Sequence, residues 1–367
     1  MYRSDLPEPE HTRWSRGECV DVGALPDVID TEEALDDLLS RPSQDLVAMM
    51  RRLDGDIIIL GVAGKMGVSL SVAATRAIAA ADSNQRVIGV ARFSDPRTRE
   101  YLEAQGVATI QCDLLDRQAV ADLPRVANVV YMVGRKFGTR GSEDLTWAAN
   151  VIAPDNVGAH FTGSRIVVFS TGCVYPLVPV GTGGCTEETL VDPTGEYAQS
   201  CLGRERVFGY WSRTSGTPVC LVRLNYAVDL RYGVLHDIAW RVYEGQPVSL
   251  SASHFNAIWQ GDANRQALRC LEHCAVPPEV LNVTGPETIS VRAVAEAFGR
   301  LFGREVRFEG EDRDARMYLS NAGRAMARFG YPSVPLMTLV RWQADWILRG
   351  GRSLNKPTHF EVVDGRF

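Results

Sequence analysis

The segment from Ile57 to Gly67 constrains the fold of this chain more than any other. Four consecutive large aliphatic residues lead into the glycine-rich turn 61–67 (GVAGKMG), and a stretch with helical spacing follows to about Ala81. Glycines in such a turn allow a tight bend and let the following helix pack closely on the strand. A buried strand that passes through a glycine turn into a helix indicates the first unit of a parallel α/β sheet.

Further apolar segments follow, in the alternating strand and helix rhythm of a parallel sheet that is buried on both faces. The predicted strands are 57–61, 87–91, 108–112, 128–133, 165–170 and 219–223, with a helix at 68–81 after the first. After about residue 226 the rhythm loosens, with helices predicted at 233–244, from about 262, and at 290–302, and strands at 280–283 and 305–309. We predict a Rossmann-type doubly wound sheet over 55–230, a smaller α+β substrate-binding lobe over 231–350 whose chain crosses back to the sheet, and a tail over 351–367.

Residues 1–54 precede the first strand, and we predict an N-terminal helical extension. The run Asp30-Thr31-Glu32-Glu33 has the character of a capping box, and leucines follow it at helical spacing. A second helix is predicted after Pro42-Ser43, with Leu46, Met49, Met50 and Leu53 on one face. The extension is expected to pack on the main domain; the alternative is a dimer contact or a lid.

The bulk composition argues against several classes of function. Net charge is −6 and no basic block is present, which argues against nucleic acid as the main partner. No apolar run approaches the ~20 residues that a membrane span needs, and the polar first sixteen residues do not resemble a signal peptide. The eight cysteines show no CxxC pair and no metal-ligand spacing, which favours reduced thiols in a cytoplasmic protein without a metal.

The glycine turn also predicts a dinucleotide site. The helix that follows it presents unpaired N–H groups and a partial positive charge to a pyrophosphate. The predicted cradle consists of Gly61, Ala63, Gly64, Lys65, Met66 and Gly67.

The ends of the second and third strands are expected to meet the adenosine half of that cofactor. An acid at the end of the second strand suits the ribose of NAD, and an arginine suits the 2′-phosphate of NADP. This chain has Arg92 and no acid until Asp95, so we expect NAD or NADP with a slight preference for NADP. Asp113 and Leu114 follow the third strand and are placed to meet the adenine; as an alternative or additional role, Asp113 caps a helix.

These and later motifs together resemble the extended short-chain dehydrogenase/reductases, the NAD-dependent epimerase/dehydratase group, over roughly residues 55–345. The matching motifs are the GxxGxxG turn at 61–67, Cys112-Asp113-Leu114, Asn150-Val151, the run 169–176 (FSTGCVYP), Tyr197, and Arg223-Leu224-Asn225.

The resemblance implies an enzyme that acts on a nucleotide sugar or another polyol. Tyr197 would be the acid/base, and Thr171 would bind the substrate oxygen. It also implies a homodimer formed through helices near 145–156 and 197–211. Further candidate cofactor contacts are Val133, Gly134, Asn150, Ser170 and Asn225, with Tyr197 itself. Candidate substrate contacts are Thr171, Cys173, Tyr175, Asn225, His254 and Arg316, with Arg313 as another possible phosphate ligand. Each of these residues has an alternative role. Tyr175 would only pack beside the site, His254 would lie in an ordinary surface loop, and the arginines would be solvated.

The chain departs from the family at one catalytic position. The family pattern is Tyr-x-x-x-Lys, and Cys201 stands four residues after Tyr197. A free tyrosine ionises near pH 10, so without a nearby cation Tyr197 would be a poor base. The missing charge would come from Lys136, from Arg135 or Arg204, or from the oxidised cofactor alone. Cys201 is either a small buried substitute or a nucleophile.

Two functions of different classes follow. The first is an NAD(P)-dependent epimerase, dehydratase or reductase on a sugar-derived substrate, with Tyr197, Thr171, Lys136 and Cys201 as the candidate catalytic residues. The second is a non-catalytic NAD(P)-binding sensor or partner-docking protein.

Overall fold

A computed structural model describes residues 25–136, 138, 141–311 and 316–362. Its centre is one seven-stranded parallel sheet in the order β7-β6-β5-β4-β1-β2-β3. The strands are β1 Ile57–Leu60, β2 Val87–Ala91, β3 Ala108–Gln111, β4 Asn128–Tyr131, β5 Arg165–Thr171, β6 Val219–Leu224 and β7 Glu279–Val283. The doubly wound order confirms the Rossmann-type prediction.

The predicted strands of the main sheet agree with the observed ones to within one or two residues, whereas the strand predicted at 305–309 is only the short strand Phe308–Glu309. Strands β1, β3 and β4 end earlier than predicted because the chain turns at the carboxyl edge, where the loops begin. The segment 280–283, expected beyond the first domain, is the seventh strand of the main sheet, and Val280 pairs with Leu221 of β6. The chain therefore crosses back to the sheet, as predicted, after leaving it at Leu224.

Helices cover both faces of the sheet and build the C-terminal part. They are α1 Glu32–Ser40, α2 Gln44–Met50, α3 Gly67–Ala80, α4 Pro96–Ala104, α5 Arg117–Ala121, α6 Glu143–Trp147, α7 Ala153–His160, α8 Gly195–Ser215, α9 Val234–Tyr243, α10 Gln260–Arg269, α11 Val291–Phe302, α12 Gly323–Phe329 and α13 Leu336–Leu348. A π-helical turn, Ala148–Ile152, joins α6 to α7.

The N-terminal extension forms the two predicted helices. Thr31 caps α1 by accepting the N–H of Ala34 at 3.1 Å, and Ser43 caps α2 by accepting the N–H of Leu46 at 3.3 Å. The leucines of α1 pack in the core of the C-terminal part, and the apolar face of α2 packs in the core beneath α3. The extension thus contacts both parts of the chain.

The C-terminal part begins at the carboxyl end of β6. Helices α9, α11 and α13 enclose its core, and Phe360 of the tail is buried against them. Short strand pairs complete it: 227–228 with 258–259, 254–255 with 289–290, 248–249 with 308–309, and 178–179 with 316–317. Across the described ranges, no helix is long and apolar enough to cross a membrane.

Candidate active site

The glycine turn has the geometry of a phosphate cradle. Gly61 has a φ of +93°, and a Cβ there would lie 2.8 Å from Cγ2 of Val133, beyond the end of β4. A Cβ on Gly67 would lie 2.5 Å from the carbonyl oxygen of Val62. Helix α3 begins at Gly67 with no side-chain cap and no acid in its first turn. The uncapped amino-terminal end of this helix, with its positive dipole end, fits the pyrophosphate of a dinucleotide.

At the end of β2, where the adenosine ribose was predicted to bind, the exposed side chain is a cation and not a carboxylate. Arg92 is exposed directly after β2, whereas Asp95 accepts the N–H of Arg97 at 3.0 Å and caps α4. Asp113 is exposed and accepts the N–H of Leu115 at 3.1 Å, and Leu114 is buried. Helix α5 is capped by Asp116, so the expectation that Asp113 caps a helix was wrong.

Tyr197 and Thr171 are brought together from elements that are distant in sequence. Thr171 is the last residue of β5, and Tyr197 lies in the first turn of α8. Their side chains approach closely enough for Thr171 to act on the pKa of Tyr197, and Thr171 Oγ1 accepts the N–H of the half-buried Cys173 at 3.2 Å. Burial and the neighbouring thiols of Cys201 and Cys173 raise the pKa of Tyr197 well above 10, although Arg204 and Thr171 oppose the shift. Tyr197 therefore carries its proton at neutral pH.

Cys201, where the Tyr-x-x-x-Lys pattern predicts a lysine, is completely buried. Burial raises the pKa of its thiol to about 11, and its side chain is hydrogen bonded to Tyr197. Only the thiolate is nucleophilic. These surroundings favour a neutral, space-filling thiol over a nucleophile.

Two lysines extend into the space between the glycine turn and Tyr197. Lys136, in the loop after β4, places Nζ 5.9 Å from the centre of the Tyr197 ring, and burial lowers its pKa. Lys65 places Nζ 3.4 Å from the centre of the Tyr232 ring, which links the glycine turn to the C-terminal part. The predicted reach of Lys136 toward Tyr197 is present in the fold.

Asn150 lies inside the π-helical turn and is fully buried. Its Oδ1 accepts hydrogen bonds from the N–H of Arg135 at 2.9 Å and from Nη2 of Arg204 at 2.6 Å. Its Nδ2 donates to Oγ of Ser200 at 2.9 Å. π-turns often occur at functional sites. Asn150, predicted as a cofactor contact, joins the loop after β4 to α8.

Other predicted contacts lie in a buried network behind the Tyr197–Thr171 pair. Ser170 Oγ donates to Glu205 at 2.6 Å, and Glu205 forms an ion pair with Arg223 at 2.7 Å. Tyr175 is 1% exposed and donates to Oδ1 of Asn282 at 2.9 Å, which agrees with a packing role.

The remaining candidates lie on the C-terminal part or against it. Asn225 is buried, and its Nδ2 donates to the carbonyl of Tyr318 at 3.1 Å. His254 is half-buried with Nδ1 2.9 Å from Oγ of Ser253. Arg316 is exposed, and its Nε donates to the carbonyl of Leu177 at 3.0 Å. Arg313 lies outside the described residues.

A cavity of about 410 Å³ beside the glycine turn, with several charged side chains in its wall, was not predicted. Its walls combine the turn, the start of α3, the α4 region, α1 and the tail. They include Asp36, Lys65, Val68, Arg97, Tyr101, Arg231 and Arg352. Arg231 bonds Asp36 at 2.8 Å and Asp229 at 2.9 Å. The helical spacing of its leucines predicted α1, but it did not predict that α1 packs beside the glycine turn.

Comparisons with known proteins agree with this arrangement. The model of the NAD dependent epimerase/dehydratase family matches residues 57–244, just over half of the chain. A dTDP-glucose 4,6-dehydratase from Streptomyces venezuelae, solved with NAD, superposes with a TM-score of 0.68 at 19% identity, covering 80% of this chain and 98% of that one. A UDP-glucose 4-epimerase from Thermotoga maritima, solved with UDP-glucose, gives 0.64 at 15% identity, covering 80% and 99%. No curated protein sequence matches the chain.

Proposed function

Because the chain belongs to the NAD-dependent epimerase/dehydratase family, we propose that it transfers hydride between NAD(P) and a carbon of a nucleotide-linked sugar. The observation that carries this proposal is the approach of Tyr197, in the first turn of α8, to Thr171 at the end of β5, at the same sheet edge as the glycine cradle. The likeness to structures solved with UDP-glucose or with NAD suggests the substrate and cofactor classes to test.

A bound nicotinamide would donate or accept the hydride. Thr171 would hold the substrate oxygen through its hydroxyl, and Tyr197 would move the proton on that oxygen. Because Tyr197 keeps its proton at neutral pH, it is prepared to act as an acid toward a carbonyl oxygen. The site therefore favours reduction of a keto sugar, or the reductive half of an epimerisation.

Elimination of water fits the site less well. Such a step needs a base for a C–H proton and an acid for the leaving hydroxyl. The residues directly after Thr171 are Gly172 and Cys173, and Glu205 is bound to Arg223 and Ser170. We rank reductase and epimerase above dehydratase for this chain.

The cofactor we propose is NADP(H). The strand β2 ends in Ala91 and the exposed Arg92, while Asp95 is used as a helix cap. The guanidinium of Arg92 could bind the 2′-phosphate of NADP through charge-assisted hydrogen bonds. The 2′-hydroxyl of NAD would need a carboxylate acceptor, and neither Ala91 nor Arg92 provides one.

We also propose a homodimer formed through α6, the π-turn and α8. Large apolar side chains are exposed along these helices, namely Leu145, Trp147, Ile152 and Tyr210. Apolar residues grouped on one surface commonly mark an interface.

We further propose a cytoplasmic location, because the seven described cysteines are all unpaired.

The replacement of the family's lysine by Cys201 favours a second candidate, a protein that binds NAD(P) without turnover. A substrate panel separates the two. The protein is mixed with NADPH and nucleotide-linked keto sugars, and with NADP⁺ and the corresponding sugars, while nicotinamide absorbance and sugar products are followed. Turnover that disappears in Tyr197→Phe supports the proposed enzyme. Tight cofactor binding with no product from any member of the panel supports the second candidate.

A further inference from the structure

A buried arginine lies on the same face of α8 as the tyrosine. Tyr197, Cys201 and Arg204 are spaced at i, i+4 and i+7, so their side chains share one side of the helix. Arg204 is only 5% exposed. A full positive charge is thus held next to the group that the proposed function makes the proton donor.

The partners of this guanidinium are neutral. Nη1 donates to the carbonyl of Phe169 at 2.7 Å, and Nη2 donates to Oδ1 of Asn150 at 2.6 Å. Its Nε is buried without a hydrogen-bond partner, and within the described ranges no carboxylate forms an ion pair with it. Glu205, the next residue, bonds Arg223 instead. A buried cation without a counterion is costly, and its field is weakly screened.

The loop after β4 leaves a slot for Arg204. A Cβ on Gly134 would lie 2.5 Å from Nη2 of Arg204 and 3.3 Å from Oδ1 of Asn150. Any larger residue at 134 would therefore displace the guanidinium. The position of the charge is fixed by residues from three distant segments of the chain.

We propose that Arg204, held by Asn150 and Phe169 in the slot beside Gly134, is the positioning residue that stabilises the phenolate left when Tyr197 gives up its proton. This inference rests on the proposed function, because Arg204 can have this role only if Tyr197 transfers a proton during the reaction. The other groups that face the tyrosine are Thr171 and Cys173 at the end of β5, Cys201 on α8 and Lys136 after β4. The two thiols oppose the phenolate, and Arg204 favours it.

The test is a site-specific titration that needs neither substrate nor cofactor. Tyr197 is replaced by 3,5-difluorotyrosine, whose phenol ionises at lower pH, and the ¹⁹F shift is followed against pH. Arg204→Met is expected to raise the pKa at position 197 by about one unit or more, the size of a Coulomb interaction at protein distances. Arg204→Lys, which keeps the charge, is expected to give a smaller rise. Arg206→Met, an exposed position on the same helix, is the matched control and is expected to leave the titration unchanged.

An unchanged pKa in folded Arg204→Met overturns the proposal. If Arg204→Met does not fold, Gly134→Ala decides, since it retains the charge and displaces it: a raised pKa supports the proposal and an unchanged one overturns it. Neither result bears on the proposed function, which fails separately if Tyr197→Phe retains turnover.

Discussion

The two halves of the site follow different rules. In the proposed cofactor half, β1 runs through the glycine turn into α3, and neither Gly61 nor Gly67 leaves room for a Cβ. In the proposed catalytic half, β5 and α8 bring Thr171 and Tyr197 together, but a neutral thiol, Cys201, stands where the Tyr-x-x-x-Lys pattern predicts a cation. A steric requirement leaves no alternative residue, because an added Cβ would overlap backbone atoms. An electrostatic requirement can be met by another charge that reaches the same region.

The largest effect is expected for a substitution at Tyr197 that strongly reduces turnover and leaves the binding of NADPH intact. Tyr197→Phe should reduce turnover by about 10²- to 10⁴-fold, the usual contribution of a proton-transfer group. The dissociation constant for NADPH, measured by fluorescence titration, should be unchanged because the glycine cradle is intact. A variant that lost both properties together would show that the two halves are not separable.

Gly67→Ala should break the cofactor half. Its Cβ would overlap the carbonyl of Val62, so the turn must shift and the affinity for NADPH should fall by about tenfold or more. Gly181→Ala is the matched control, since no atom lies within 4 Å of its Cβ position and its φ is not positive. Calorimetric titration of both variants tests this, and equal affinities would contradict the cradle.

Arg92→Ala should alter cofactor choice without abolishing binding. Loss of one guanidinium–phosphate contact is expected to lower the affinity for NADPH relative to NADH by about tenfold. Arg206→Ala, also exposed but on α8, should leave the ratio unchanged. If the ratio of the two dissociation constants does not move in Arg92→Ala, the 2′-phosphate is bound elsewhere.

Cys201→Ser should have the smallest effect. The thiol is buried and protonated, so an almost isosteric hydroxyl is expected to change kcat by less than about threefold, because no proton-transfer contribution is removed. A hundredfold loss, in protein whose thermal unfolding is unchanged, would instead assign Cys201 a nucleophilic role.

Much of the fold could be predicted because it depends on local patterns. Nearby residues alone determine the backbone conformation of several features. Examples are the strand at 87–91, the helix caps Thr31 and Ser43, and the glycine turn. The joint role of Tyr197 and Thr171 was expected from the resemblance to the family, and the structure places one in the first turn of α8 and the other at the end of β5.

The rest depends on packing between distant segments. Helical spacing places Arg204 on the same side of α8 as Tyr197, but the slot that holds its guanidinium joins residues near 134, 150 and 204, and no local pattern predicts that they meet. The π-turn around Asn150 has no simple periodicity signal. The wall that α1 adds beside the glycine turn depends on which surface the helix covers, and its hydrophobic spacing does not specify that surface.

The central claim is that the glycine turn binds a nicotinamide cofactor for chemistry at Tyr197, and the cofactor of the purified protein tests it most directly. The protein is denatured, released small molecules are identified by chromatography, and emptied protein is titrated with NADPH and NADH. The account predicts that NADP(H) is released or bound, more tightly than NAD(H). Protein that holds neither and binds neither from solution would contradict the account.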